Sequence, residues 1–199
     1  MNPIETAIVA LIHSEISTEA VFKAAVEQPE AGMACLITAL EGKLETFPAK
    51  GYYRDIIENL EGVIWLLAEA NPQAVIDALT IYPKHTVSLV WALGASKSPL
   101  ALEALIQATS HKEPWVRWAA AEGLVRFKRK TLLPVFHRLL RDRSSTVAFT
   151  ALEGLHKLKD PRSKEPLEIY LCKKSLAIGA RQLAEETLAA ILKKAETIQ

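Results

Sequence analysis

PWVRWAAAEGLVRF, Pro114–Phe127, decides the fold, because the chain repeats its pattern twice more. A shift of 31 residues carries Val116 onto Val147, Ala120 onto Ala151, Glu122 onto Glu153, Gly123 onto Gly154 and Leu124 onto Leu155. A shift of 64 carries Arg117 onto Arg181, Ala120 onto Ala184, Glu122 onto Glu186 and Leu124 onto Leu188. Self-similarity at a period in the low thirties predicts helical hairpins stacked one upon the next. The period fixes an architecture and names no ligand.

Working outward, helices account for the whole chain. Before the repeats, apolar spacing predicts helices over 4–13, from about 19, from Pro29 to Leu40, over 52–70 and over 72–81. The stretch GKLETFPAKG, with two glycines and a proline, reads as a loop and a boundary within the fold. The helix over 84–93 is expected to close at Gly94. Pairs then follow at 99–108 with 114–127, at 131–140 with 145–158, and at 166–171 with 177–193. Short helices apolar on several sides cannot cover one another as a single pair, and stacking buries the excess. Ala119, Ala120, Gly123, Ala151, Gly154, Ala180 and Ala184 allow close approach. A helical glycine costs roughly 1 kcal/mol against alanine, so glycine at one register in two repeats implies tight packing there.

Composition narrows the class. Half of the 199 residues are hydrophobic and 24% are charged, as in an ordinary globular chain. No apolar run reaches the ~18 residues of a membrane helix. The opening residues lack a basic leader and carry Glu5, which does not resemble an export signal. Cys35 and Cys172 stand alone, both expected in apolar helical settings, and fit a reducing, cytoplasmic environment. The net charge of +1 hides a gradient: residues 1–95 sum to −7 and residues 96–199 to +8. Partners are then steered differently to the two ends.

At Asp142–Leu155 the pattern resembles a HEAT repeat. Asp142 stands in the turn five residues before Val147, and the helix runs Val–x–x–x–Ala–x–x–x–Leu. Val116–Arg117 followed by Ala120 and Leu124, and Leu158–Lys159–Asp160–Pro161–Arg162 entering the next unit, resemble it too. The likeness extends to the HEAT repeats of bilin lyases and bacterial scaffold proteins. It covers 97–192 well, 72–94 loosely and the first 50 residues hardly at all. It implies an all-α, right-handed α–α superhelix of five or six antiparallel pairs, forming a single domain over 1–199. Residues 1–50 would be a divergent helical cap, 51–95 degenerate repeats and 96–199 clear repeats. It also implies an inter-repeat ladder of turn aspartates and following arginines. That ladder is fragmentary here: Asp142 is present, His111 and Ser175 occupy the equivalent turns, and Ala148 replaces the middle arginine. Asp142 is therefore expected to reach back to Arg117.

Taking 100° per residue from Val116, Ala119, Ala120, Gly123, Leu124 and Phe127 lie within roughly 80° of it and form a core stripe. Trp115, Trp118, Glu122 and Val125 fall opposite. In a solenoid of helix pairs the second helix lines the concave surface, so this face is expected to line a groove. The same shift places Trp91 at the register of Glu122, and Phe149 at that of Trp118. Trp91, Trp115, Trp118 and Phe149 thus read as an aromatic stripe, either packed between repeats or exposed as a partner-binding hot spot. Each bare ring would forfeit up to ~5 kcal/mol. Glu122, Glu153 and Glu186 would form an acidic row beside it.

A second candidate is the basic run Arg126, Lys128, Arg129 and Lys130 with Arg138, Arg141 and Arg143 close by, the chemistry a phosphate backbone requires. The same cations suit helix C-termini. No zinc-binding histidine–glutamate spacing, glycine-rich phosphate loop or serine elbow is present, and the five histidines are scattered. The sequence therefore points to a non-catalytic protein needing no metal or cofactor, which binds another protein in a groove and does not enter membranes. The resemblance adds a bilin-lyase-type subunit or chromophore-protein chaperone as an alternative. The basic run at 112–143 adds nucleic-acid binding.

Overall fold

The computed structural model describes residues 3–13, 17–43 and 53–196, with side chains given for 56–193 in the last segment. Among these residues there are 12 α-helices and no strand. They run α1 (Pro3–Ile12), α2 (Thr18–Glu27), α3 (Pro29–Leu40), α4 (Tyr53–Ala70), α5 (Pro72–Ile81), α6 (Thr86–Ser96), α7 (Ala101–Ala108), α8 (Pro114–Phe127), α9 (Leu133–Leu139), α10 (Ser145–Leu158), α11 (Lys164–Leu171) and α12 (Ile178–Glu196). The fold is the all-α, HEAT-like solenoid class expected from the sequence. The helices group into two compact units, 1–104 and 105–199.

In the N-terminal unit, α1, α3 and α5 pack in succession, as do α2, α4 and α6. Each odd helix also packs on the even helix that follows, giving three stacked hairpins. The apolar spacing explains the burial: Ile4, Ile8, Leu11 and Ile12 of α1 and Leu60, Val63, Ile64 and Leu67 of α4 are all buried. Because α3 pairs with α4, the break in GKLETFPAKG falls inside a hairpin rather than between parts of the fold. Residues 44–52 of that connection lie outside the described residues. Proline opens α3 and α5 in the first turn, and the Asn71 side chain caps α5 by accepting from Ala74 N at 3.2 Å. Gly94 does not end α6. It is buried inside the helix, which runs on to Ser96 and stops at Lys97 in the left-handed conformation.

In the C-terminal unit, α8, α10 and α12 pack in succession, α9 packs on α10, and α11 on α12. Val116, Ala120 and Leu124 and their equivalents Val147, Ala151 and Leu155 are buried. The glycine argument holds at Gly154, where an added Cβ would sit 2.8 Å from the Phe136 ring. That close approach is within a hairpin, α9 against α10. The cysteines differ from expectation, since Cys35 is buried but Cys172, at the end of α11, is exposed.

Candidate functional face of the C-terminal repeats

The second helices α8 and α10 each leave one narrow strip uncovered. On α8 it holds Trp115, Trp118, Glu122 and Arg126, and on α10 Thr146, Phe149, Glu153 and Lys157. The spacing of 3, 4 and 4 residues keeps each set on one side of its helix, and a shift of 31 superposes the two sets. The strip is narrower than the helical wheel suggested. Val125, expected opposite the core, is only 3% exposed, and Ala121 is fully buried. A second helix inside a stack has neighbours on several sides, so a single wheel undercounts its buried arc.

Along the strip, residue classes change in bands. Trp115 is 61% exposed and meets the half-buried Trp118 edge-on, with ring centroids 5.6 Å apart at 76°. Phe149 on α10 is 36% exposed. Next come Glu122 and Glu153, both half-buried. Burial pushes the Glu153 carboxyl above its ordinary range, and the Glu122 charge adds to the shift while Lys157 opposes it. The two carboxylates are therefore neighbours across the repeat. Glu186 on α12 continues the register and accepts from Gln182 Nε2 at 3.0 Å. Trp91 stands half-buried on α6 in the N-terminal unit. The aromatic band of the C-terminal unit thus consists of Trp115, Trp118 and Phe149.

The basic run divides into groups at opposite ends of the hairpins. Lys128, Arg129 and Lys130 lie in the connection after α8, and Arg126 in its last turn. Arg138 and Arg141 lie at the far end of α9, beside the turn that leads into α10. The cause is local: α9 intervenes between them, so closeness in sequence becomes separation by a helix length. Some of these cations are structural. Lys130 Nζ lies 3.5 Å from the buried Asp160 carboxylate of the next unit. Arg138 donates to the hydroxyls of Thr109 and Ser110 in the preceding unit.

The fragmentary ladder is realised once and replaced elsewhere. Arg117 Nε and Nη2 donate to the two Asp142 oxygens at 2.8 Å each, while Nη1 donates to the His111 and Lys112 carbonyls at 2.9 Å. Arg181 has no turn aspartate and donates to the carbonyls of Leu171 and Lys173 at 3.4 Å. The other links run near the repeat spacing: His137 Nε2 to Ser163 Oγ at 3.0 Å, His156 Nδ1 to Thr187 Oγ1 at 2.9 Å, and Lys173 Nζ to the Leu140 carbonyl at 2.7 Å. Thr187 donates its own proton to Leu183, so His156 Nδ1 is the donor in its pair. These histidines and hydroxyls hold repeats together.

Reading by register ties Lys112, Arg143 and Lys128 of the basic stretch to lysines outside it. Lys112, Arg143 and Lys174 follow one another at intervals of 31, each on the turn between the helices of a hairpin. Lys97, Lys128 and Lys159 follow at the same interval, all with positive φ of 51°, 50° and 44°. The shift that found the core would have found both rows, because both are periodic. Among the described residues no group of histidine, cysteine, aspartate and glutamate is arranged to hold a metal ion, and no helix is long and apolar enough to cross a membrane.

The family model for HEAT repeats matches residues 102–189, which span α7 to α12. No curated protein matches the chain.

Proposed function

We propose that this HEAT-repeat protein is a non-catalytic interaction module that seats a partner protein on the exposed strip of its C-terminal second helices, in a concave groove. HEAT repeats generally mediate protein–protein interaction. The observation that carries the finer reading is Trp115, bare over 61% of its surface and stacked edge-on against Trp118 within a strip otherwise in register from repeat to repeat. Leaving such a ring in water forgoes burial that a partner can supply, and tryptophan at the centre of a contact is where binding energy concentrates. The acidic band beside it supports a partner whose apolar anchor is flanked by lysine or arginine, since a partner cation would add to the relief that Lys157 already gives Glu153 beside the Glu122 charge. The two unpaired thiols keep the expected setting reducing and cytoplasmic.

The test compares affinity capture by the wild-type protein and by Trp115→Ala with Trp118→Ala. Loss of the captured partner with a melting temperature changed by less than about 4 °C supports the reading. Retention of the partner, or collapse of the fold on Trp115→Ala alone, removes it.

A further inference from the structure

We infer that the turn edge of the C-terminal unit, marked by Lys112, Arg143 and Lys174, holds an extended acidic segment of a partner protein. This surface adjoins the aromatic band, since Phe149 also lines one of its clefts, but the inference rests on the turn cations and does not depend on that reading. All three side chains are exposed, and none is in an ion pair among the described residues. Between the first two turns opens a cleft of about 800 Å³, walled by Lys112, Arg138, Arg141 and Arg143. A second cleft of about 530 Å³ lies between the next two turns, with Arg143 and Lys173 on its walls. Arg143 borders both, so the clefts follow one another along the edge.

The charge of this edge is not cancelled from within. Asp142 also lines both clefts, but Arg117 already grips both its oxygens. Glu113 is the other turn carboxylate. Arg138 is aimed by the Thr109 and Ser110 hydroxyls and makes no ion pair among the described residues, although its charge also bears on Asp142 across the cleft.

Spacing selects the occupant. Adjacent packed helices lie roughly 8–10 Å apart, so the three cations recur at about that interval. A chain in the polyproline II conformation repeats one side every third residue, about 9 Å. Acidic segments favour such extended forms through self-repulsion. A carboxylate at every third position therefore meets one cation per repeat. A duplex nucleic acid fits less well. The next exposed cations, Arg126, Lys128, Lys157 and Lys159, lie at the far ends of α8 and α10. Those helices are roughly 21 Å long, and the Glu122, Glu153 and Glu186 row crosses between. A wide polyanion would ride over those carboxylates, whereas a single narrow chain avoids them.

The experiment measures anisotropy of a fluorescein-labelled peptide carrying glutamate at every third residue, with serine between, at low and high salt. Expected is binding that weakens with salt and falls by about tenfold or more in Lys112→Glu with Arg143→Glu and Lys174→Glu. Lys128→Glu with Lys159→Glu, on the opposite edge, is expected to leave affinity within about twofold. The single Arg143→Gln, a milder change at the residue shared by both clefts, is expected to weaken binding measurably with an unchanged circular dichroism melt. No binding at low salt, equal weakening by changes on the two edges, no effect of Arg143→Gln, or tighter binding of a single-stranded oligonucleotide would each overturn the proposal.

Discussion

Arg117 and Asp142 face each other in a two-point contact, both bonds 2.8 Å, joining the start of α8 to the turn before α10. The side chains are only 15% and 9% exposed, and the same guanidinium also satisfies two carbonyls of its own turn. One residue pair thus closes a turn and joins two repeats.

Removing either partner strands the other. Arg117→Ala is expected to cost about 3 kcal/mol, and Asp142→Ala a comparable amount because it also frees Ser144 N. The double variant should lose less than the sum, and a double-mutant cycle by chemical denaturation checks this. Despite burial, the Arg117 and Ser144 bonds hold the Asp142 carboxyl below its ordinary range. A depressed carboxylate stabilises above its unfolded pKa, so this contribution is present at neutral pH and is lost as pH falls below about 4.

Gly154→Ala should destabilise although alanine is the better helix former. The new methyl would meet the Phe136 ring at 2.8 Å, and Phe136 is itself buried. Overpacking of about 1–3 kcal/mol outweighs the gain of roughly 1 kcal/mol in propensity. Thermal melts of Gly154→Ala and of the pair with Phe136→Leu decide the point, since the second change should restore part of the loss.

Lys128→Gly and Lys159→Gly should each stabilise by about 0.5–1 kcal/mol. Both lysines hold positive φ at helix ends, 50° and 44°, where glycine has no Cβ to strain. A lower denaturation midpoint in either variant would show that the lysine side chain makes a compensating contact.

His137 gives the fold a pH dependence near neutrality. Burial, followed by the Arg162 charge, lowers its pKa, while Asp160 opposes and Arg141 reinforces the shift. A base whose folded pKa is depressed leaves the unfolded state holding more protons, so stability falls as pH drops below about 6.5. Melting temperature measured from pH 7.5 to 5.5 should decline, and His137→Gln should flatten that decline.

Much of this was legible in the chain itself. Helix α8 was bounded correctly from Pro114 to Phe127, and Arg117 was paired with Asp142 on family resemblance. The fates of Val125 and of the basic run were not legible. A helical wheel assigns one buried side, but α10 is packed against α8, α9 and α12. Leu152, well off the Val147 stripe, is fully buried for that reason. Likewise, Lys130 and Arg138 look adjacent in a list of charges, yet α9 places them at opposite ends of a hairpin.

The sequence by itself determined helix type, the order of the helices and the 31-residue interval, because each follows from local periodicity and chain punctuation. Only the tertiary structure decided which sides of each helix stay wet, that Lys130 reaches Asp160, and which cations of the turn edge are left without an ion pair among the described residues. Burial and ion pairing depend on what a neighbouring repeat brings within a few ångströms, and no single helix carries that information.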